Sequence, residues 1–245
     1  MDFLYEIFSN LPRQGPGDNE STRKAFGFLT DLPPQPSILD VGCGSGMQTL
    51  ELARLIDGKI FALDNHQPFL DALNQNAHDS GLDKKITTLN QSMLTMNFDV
   101  KIFDIIWSEG AAYIYGIEKA LQDWKKFLKK SGYFVFSEIC WLKETIPQEL
   151  SAFFTREYPA MKSIEDNIKM IQSSVYALIA HFKLPEVSWW TNYYTPLEQN
   201  LAKLKKKYRN DKEKIGQLEE VFLEINMFKK YSKYYGYIFF ITKKN

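Results

Sequence analysis

The stretch SILDVGCGSGMQTLELA, residues 37–53, decides how the rest of the chain is read. Ile38, Leu39 and Val41 are branched and apolar, in the close run expected of a buried parallel strand. Asp40 falls at the strand's end, and Gly42, Gly44 and Gly46 alternate through the turn that follows. Glycine accepts positive φ and admits a ligand where a Cβ would collide. From Met47 the pattern turns helical, with Leu50, Ala53 and Leu55 on one side and polar Gln48 and Glu51 on another. Apolar strand, acid, three alternating glycines and helix N-terminus, in that order, describe a cradle for a nucleotide-type ligand rather than a plain tight loop.

The flanking sequence extends this unit. Ile60 to Leu63 read as a second strand closed by Asp64, placed where a carboxylate reaches the two vicinal hydroxyls of a ribose. Phe69, Leu70, Leu73 and Ala77 mark a helix. Ile86 to Leu89 give a third strand, followed by a loop with Ser92 and Met93. Ile102 to Trp107 give a fourth, leading into SEGAAYIYG. A helix from Ile117 to Leu128, ended by KKSG, leads to a fifth strand, Tyr133 to Ile139. Five alternations of strand and helix imply an α/β, doubly wound, mainly parallel sheet.

Upstream, residues 3–11 carry a short amphipathic helix and RQGPGDNES a loop. Asn19 or Ser21 is expected to cap a second helix through Ala25 and Leu29. Downstream the alternation breaks. Two helical segments occupy residues 145–182, the second capped at Ser163 with Asp166 and running through Ile171, Val175 and Leu178. PEVSWWTNYYTP reads as a sixth strand, and Thr195-Pro196-Leu197-Glu198 as a capped helix start. One helical face then runs from Leu201 to Ile225, broken at Asp211, before a last strand, YGYIFFIT. A single domain, 1–245, accounts for this, with residues 1–34 as an N-terminal lid and 145–182 as an inserted substrate cover.

Composition narrows the partners. Lys+Arg and Asp+Glu number 30 each, so the chain as a whole offers no polyanion-binding field. From Lys183 onward thirteen basic residues face seven acidic ones, and the lysines of KLKKKYRNDKEK lie mainly off the apolar helix face. The two cysteines, Cys43 and Cys140, make no disulfide framework. MDFLYEIFSN lacks a signal peptide's basic start, and no apolar run approaches the ~20 residues of a membrane span. A cytoplasmic location is expected. His66 and His78 have no partners at metal-ligand spacing, so no metal is expected.

The cradle's details choose the ligand. A dinucleotide turn needs a small third residue, where this chain has Met47 or Thr49, and no Gly-Lys-Ser/Thr follows to make a P-loop. LDVGCGSG, Asp64 and the closing YGYIFFITKK together resemble a class I S-adenosylmethionine-dependent methyltransferase, over nearly the whole chain. IIWSEGAAY, KKSGYFVFSEICW and HFKLPE are similar to a bacterial subgroup acting on small molecules. The resemblance implies a seven-stranded sheet with the last strand antiparallel. It assigns Gly42, Gly44 and Gly46 to the methionine part of S-adenosylmethionine, Asp40 to its amino group, and Asp64 with Asn65 to the ribose. Ser92, where the family usually has an acid, and Met93 would meet the adenine. Ser108 and Glu109 would lie near the sulfonium.

The reaction this implies is methyl transfer to a small-molecule acceptor. A general base is required only if the acceptor must lose a proton, and Glu109 is the best-placed candidate, ahead of Tyr113, Glu138 and His181. Tyr113, Tyr115, Trp141, Trp189, Trp190, Tyr193 and Tyr194 offer an aromatic wall for a planar or cationic substrate, with Tyr113 and Trp141 the leading contacts. Core packing is the competing role for each. The chain lacks Asp/Asn-Pro-Pro-Tyr/Phe after strand four, which weighs against nucleic acid. Two alternatives stay open: a non-catalytic S-adenosylmethionine or nucleotide binder, and an RNA methyltransferase using the basic C-terminal helix. The acceptor's identity and the oligomeric state are not legible.

Overall fold

Strand β1 (Ser37–Val41) is central to the sheet, with β2 (Lys59–Asp64) and β4 (Phe103–Glu109) paired parallel along its two edges and apolar clusters against both its faces. β3 (Ile86–Asn90) extends the sheet beyond β2, and β5 (Leu128–Trp141) extends it beyond β4. β8 (Tyr235–Lys244) runs antiparallel between β5 and β7 (Tyr176–Lys183), giving the order β3-β2-β1-β4-β5-β8-β7. A two-residue β6 (Lys162–Ser163) adds to the end of β5. This is the expected seven-stranded frame with its last strand reversed. The computed structural model describes residues 2–245.

Strand order reverses between β1 and β4, so the loops leaving their carboxyl ends diverge and open a crevice, the usual ligand site of such sheets. Helices α3 (Met47–Leu55), α4 (Gln67–Asp79) and α5 (Ile117–Asp123) form the crossovers, and apolar clusters fill both sheet faces. A third cluster lies apart from these. It joins α1 (Asp2–Phe8), α6 (Gln148–Glu157), α8 (Val187–Trp189), α9 (Thr195–Lys207) and α10 (Lys212–Tyr231) into a helical cap. Among the described residues no helix is long and apolar enough to cross a membrane.

Several expectations need correction. SWWTNYY is helical: α8 passes through a π turn, Trp190–Tyr194, straight into α9. Its aromatic content suggests a strand, but the buried positions Trp189, Tyr193, Leu197, Leu201 and Leu204 step by fours and threes along one helix face. Thr195 is therefore no cap. The sixth strand is β7, YALIAHFK, whose burial alternates residue by residue, so α7 (Ile164–Gln172) stops before Val175 and Leu178. KKSG does not end a helix. α5 stops at Asp123, and Lys129 to Gly132 form a bulge in β5 with Ser131 at φ 57°.

Local caps also differ in part. Asp18, not Asn19 or Ser21, caps α2 (Asn19–Phe26), accepting from the Ser21 amide at 2.7 Å. Ser163 does cap α7, accepting from the Asp166 amide at 3.0 Å. Asp211 separates α9 from α10 by capping the second. Gln48 and Glu51 are buried rather than solvent-facing, because α2 packs over α3. Gln48 donates to the Cys43 carbonyl, and Glu51 pairs with Arg23 at 2.6 Å.

Candidate active site

The crevice at the β1–β4 switch contains a cavity of about 260 Å³. Gly42, Gly44 and Gly46 form one wall, with φ of 75°, 54° and 82°. A Cβ on Gly42 would lie 2.4 Å from the Ala111 Cβ, and one on Gly46 2.2 Å from Leu73 Cδ1, so side chains are excluded by strain and by space together. Asp64 and Asn65 line a second side, Ser92 and Met93 a third, and Glu109 and Tyr113 a fourth. The expected loops therefore do converge.

Within them, individual side chains are more committed than sequence reasoning allows. Asp64 accepts from the Gly44 amide at 2.9 Å and the His66 amide at 3.0 Å, so it closes the glycine turn as well as facing the cavity. Asp40 lies beneath the turn and does not line the cavity. It accepts from Thr49 Oγ1 at 2.6 Å, and its Oδ1 has no partner. Burial raises its carboxyl to about 7. Ser108 is also sealed off, its hydroxyl donating to the Val41 carbonyl at 2.9 Å.

Glu109 is an anchor rather than a free base. Its carboxylate accepts from Arg13 Nη2 at 2.7 Å, from Thr22 Oγ1 at 2.8 Å and from Trp107 Nε1 at 2.8 Å. These three donors occupy both carboxylate oxygens. Through them it ties residues 13–22 across the crevice. Gln14 completes the strap by accepting from the Ser45 amide at 2.8 Å. Arg13 and Gln14 line the cavity, and Arg13 Nη1 is buried there without a partner. Neither residue stands in any local motif. Their only sequence signal is membership of a Pro/Gly-rich loop ahead of the first strand.

A second cavity, of about 580 Å³, adjoins the first through Gln14, Gly15, Pro16, Gly110 and Tyr113, which line both. Trp189, Tyr193 and Tyr194 line it as expected, joined by Phe153, Phe154, Tyr158, Tyr235 and Tyr237. Trp141 does not reach it. Its ring packs edge-on against Phe154 at 5.2 Å, behind the wall. Tyr115 bonds Asp123 on α5, and Trp190 packs towards Phe228. His181 is exposed on β7, away from both cavities.

Glu138 faces a side cavity next to Tyr113 and Tyr158. Burial raises its carboxyl to about 8, and its Oε1 has no partner. Among the described residues no three His, Cys, Asp or Glu side chains converge as a metal site.

Comparison with known proteins agrees with this geometry. A ribosomal protein L11 methyltransferase of Thermosipho africanus (strain TCF52B) is 34% identical over 126 residues, 51% of this chain and 46% of that protein. A sterol 24-C-methyltransferase of Debaryomyces hansenii is 30% identical over 98 residues, 40% of this chain and 26% of that protein. The chain thus spans at most about half the length of these curated relatives. A S-adenosylmethionine-dependent methyltransferase of Geobacter sulfurreducens, solved with S-adenosyl-L-homocysteine, superposes with TM-score 0.85 at 17% identity, covering 100% of this chain and 98% of its own. Geranyl diphosphate C-methyltransferase of Streptomyces coelicolor A3(2) superposes at 0.66 and 14%, covering 92% and 76%. The family described as "Methyltransferase domain" matches residues 34–201. With its glycine turn, switch-point crevice and reversed last strand inside or beside that match, the chain belongs to the methyltransferase domain family.

Proposed function

We propose that the chain transfers a methyl group from S-adenosylmethionine to a small-molecule acceptor. The observation that carries this reading is the direct junction of a glycine-walled cavity with a larger aromatic one. The residues present suit the cofactor. Gly42, Gly44 and Gly46 let its methionine end lie on backbone. The unpartnered Arg13 Nη1 suits the methionine carboxylate. Asp64 and Asn65 suit the ribose, and Ser92 and Met93 the adenine edge and face. Asp40 and Ser108 act from behind, through Thr49, Gln48 and Val41, rather than by contact.

S-adenosylmethionine supplies an already activated methyl on a cationic sulfur. The chain's own task is orientation and exclusion of water. Holding acceptor and donor in line contributes on the order of 7–11 kcal/mol. The Arg13–Glu109 pair and the Gln14–Ser45 bond hold the strap over the junction, which narrows the lid from residues 1–34 to its central turn. The inserted cover likewise narrows to α6, whose Phe153 and Phe154 line the acceptor cavity with Tyr158 just beyond its end, and the 187–194 turn and α10 complete it. On α9, Lys203 and Lys206 are exposed and line neither cavity, while Lys207 pairs with Glu6 at 2.6 Å. Two free, buried thiols suit the cytoplasm.

Incubation with methyl-labelled S-adenosylmethionine and a metabolite extract tests this. The expected result is one labelled small molecule, absent with Gly44→Val and Asp64→Ala. Label found only in protein or RNA would overturn the acceptor class, and binding without any transfer would overturn catalysis.

A further inference from the structure

Among the described residues the acceptor cavity is charged with one sign only. Glu157 from α6 and Glu220 and Glu224 from α10 line it, with no described Lys, Arg or His side chain. Glu157 is exposed and paired with Arg156 at 2.6 Å, and Glu220 is exposed at the rim. Glu224 differs. Among the described residues its carboxylate has no cationic partner, and its side-chain hydrogen bond is from Tyr194 Oη at 2.9 Å. Burial raises its carboxyl above the ordinary value. Its charge in turn adds to the upward shift that burial imposes on the hydroxyls of Tyr113, Tyr193, Tyr194, Tyr235 and Tyr237, so it stands amid five phenols.

A second, independent observation points to a ligand here. Tyr235 lines the same cavity, is 1% exposed, and its hydroxyl has no hydrogen-bond partner. Buried hydroxyls are nearly always satisfied, and an unmet one inside a cavity is free to make a polar contact to something bound there.

Given the methyltransferase reading on which it rests, we infer that the acceptor is an organic cation, an aryl-alkyl amine whose ammonium is held by Glu224 and whose ring packs between the aromatic walls. Ring faces attract an ammonium group, and a half-buried carboxylate without a cation gains its charge partner when one arrives. Anionic acceptors are disfavoured by the same lining. Among the described residues, a carboxylate or phosphate there meets three glutamates and no cation, and no convergent acid set is found to recruit a bridging metal. In the transfer, the bound ammonium gives one proton to the Glu224 carboxylate. The freed nitrogen lone pair forms the N–C bond to the methyl, and the electron pair of the broken C–S bond stays on sulfur. The products are the methylated amine and S-adenosylhomocysteine.

Tryptamine and indole-3-propionate share a ring and a chain length and differ in charge sign, which makes them matched probes. Equilibrium dialysis of each is run against the full chain loaded with S-adenosylhomocysteine. Wild-type protein is expected to prefer tryptamine by at least about tenfold, and Glu224→Gln, which keeps a partner for Tyr194, to lose most of that preference. S-adenosylhomocysteine affinity should be unchanged in the variant. Equal binding of the two probes, binding of neither, or a preference that survives in Glu224→Gln would overturn the inference. Failure of S-adenosylhomocysteine to bind the wild type would instead overturn the donor reading, so the two failures are distinguishable.

Discussion

The two cavities meet at one wall but are made by different means. The donor cavity is built largely from backbone and short loops, at the carboxyl ends of four adjacent strands, and its shape depends on glycines where side chains cannot stand. The acceptor cavity is built almost wholly from side chains, brought together from α1, α6, α8, α10, the π turn and β8. A backbone site tolerates little change and suits an invariant ligand. A side-chain site is retuned by substitution without disturbing the sheet, which suits an acceptor that differs between members of one family. Residues 14–16 of the strap, with Gly110 and Tyr113, belong to both.

That contrast is broken most severely on the donor side. Gly46→Val puts a branched side chain at φ 82° and into Leu73, so loss of folded protein, or of S-adenosylhomocysteine binding together with a fall in Tm on the order of 10 °C, is expected. Phe153→Leu in the acceptor wall serves as its counterpart, with donor affinity intact and a loss of about 1–1.5 kcal/mol by thermal denaturation. Equal damage to donor binding from both would erase the distinction.

The strap is next. Arg13→Met leaves the Glu109 carboxylate buried without its charge partner and is expected to cost about 3–5 kcal/mol in chemical denaturation. It should also weaken S-adenosylhomocysteine binding. A change below about 1 kcal/mol would mean that the pair does not hold the strap.

Proton linkage separates the regions more gently. Asp40, raised from 3.8 to about 7, belongs to the donor side, and Glu138, raised from 4.5 to about 8, to the acceptor side. In both, the folded state holds a proton that the unfolded state has released. Their contribution is therefore full at acid pH and lost as pH rises through 7 and then 8. Denaturation midpoints of the wild type should fall from about pH 4 to about pH 8, with Asp40→Asn removing the component that ends near 7 and Glu138→Gln the component that ends near 8. An unchanged slope in both variants would contradict the burial assigned to them. Smallest of all, Lys203→Glu with Lys206→Glu on α9 should move stability by less than about 0.5 kcal/mol and leave donor binding and methyl transfer untouched. A loss of transfer would revive the nucleic-acid alternative.

The same division explains what was legible in the sequence. The donor site lies in contiguous motifs, so Gly42 to Gly46, Asp64, Ser92 and Met93 are recognisable from order and spacing and do line one cavity. Asp40 and Ser108 are found by the same motifs, but alternation along a strand turns one residue to the ligand and its neighbour into the sheet, and both are sealed. The acceptor side has no local signature. Arg13 and Glu109 are 96 residues apart, and nothing near Glu224 distinguishes it from the exposed Glu219 and Glu220 on the same helix. Trp189 to Tyr194 mislead because aromatic residues favour strands in isolation. The helical spacing that continues to Leu204 was the better signal, since packing against Phe228 and Tyr235 decides the segment's conformation.

The central claim is that the glycine-walled crevice binds S-adenosylmethionine through the strand ends and the strap. Calorimetric titration of S-adenosylhomocysteine into the wild type, Asp64→Ala and Arg13→Met tests it most directly, with a thermal melt confirming that each variant is folded. One saturable site is expected in the wild type, weakened at least about tenfold in each variant. No binding in the wild type, or undiminished binding in both folded variants, would contradict the account.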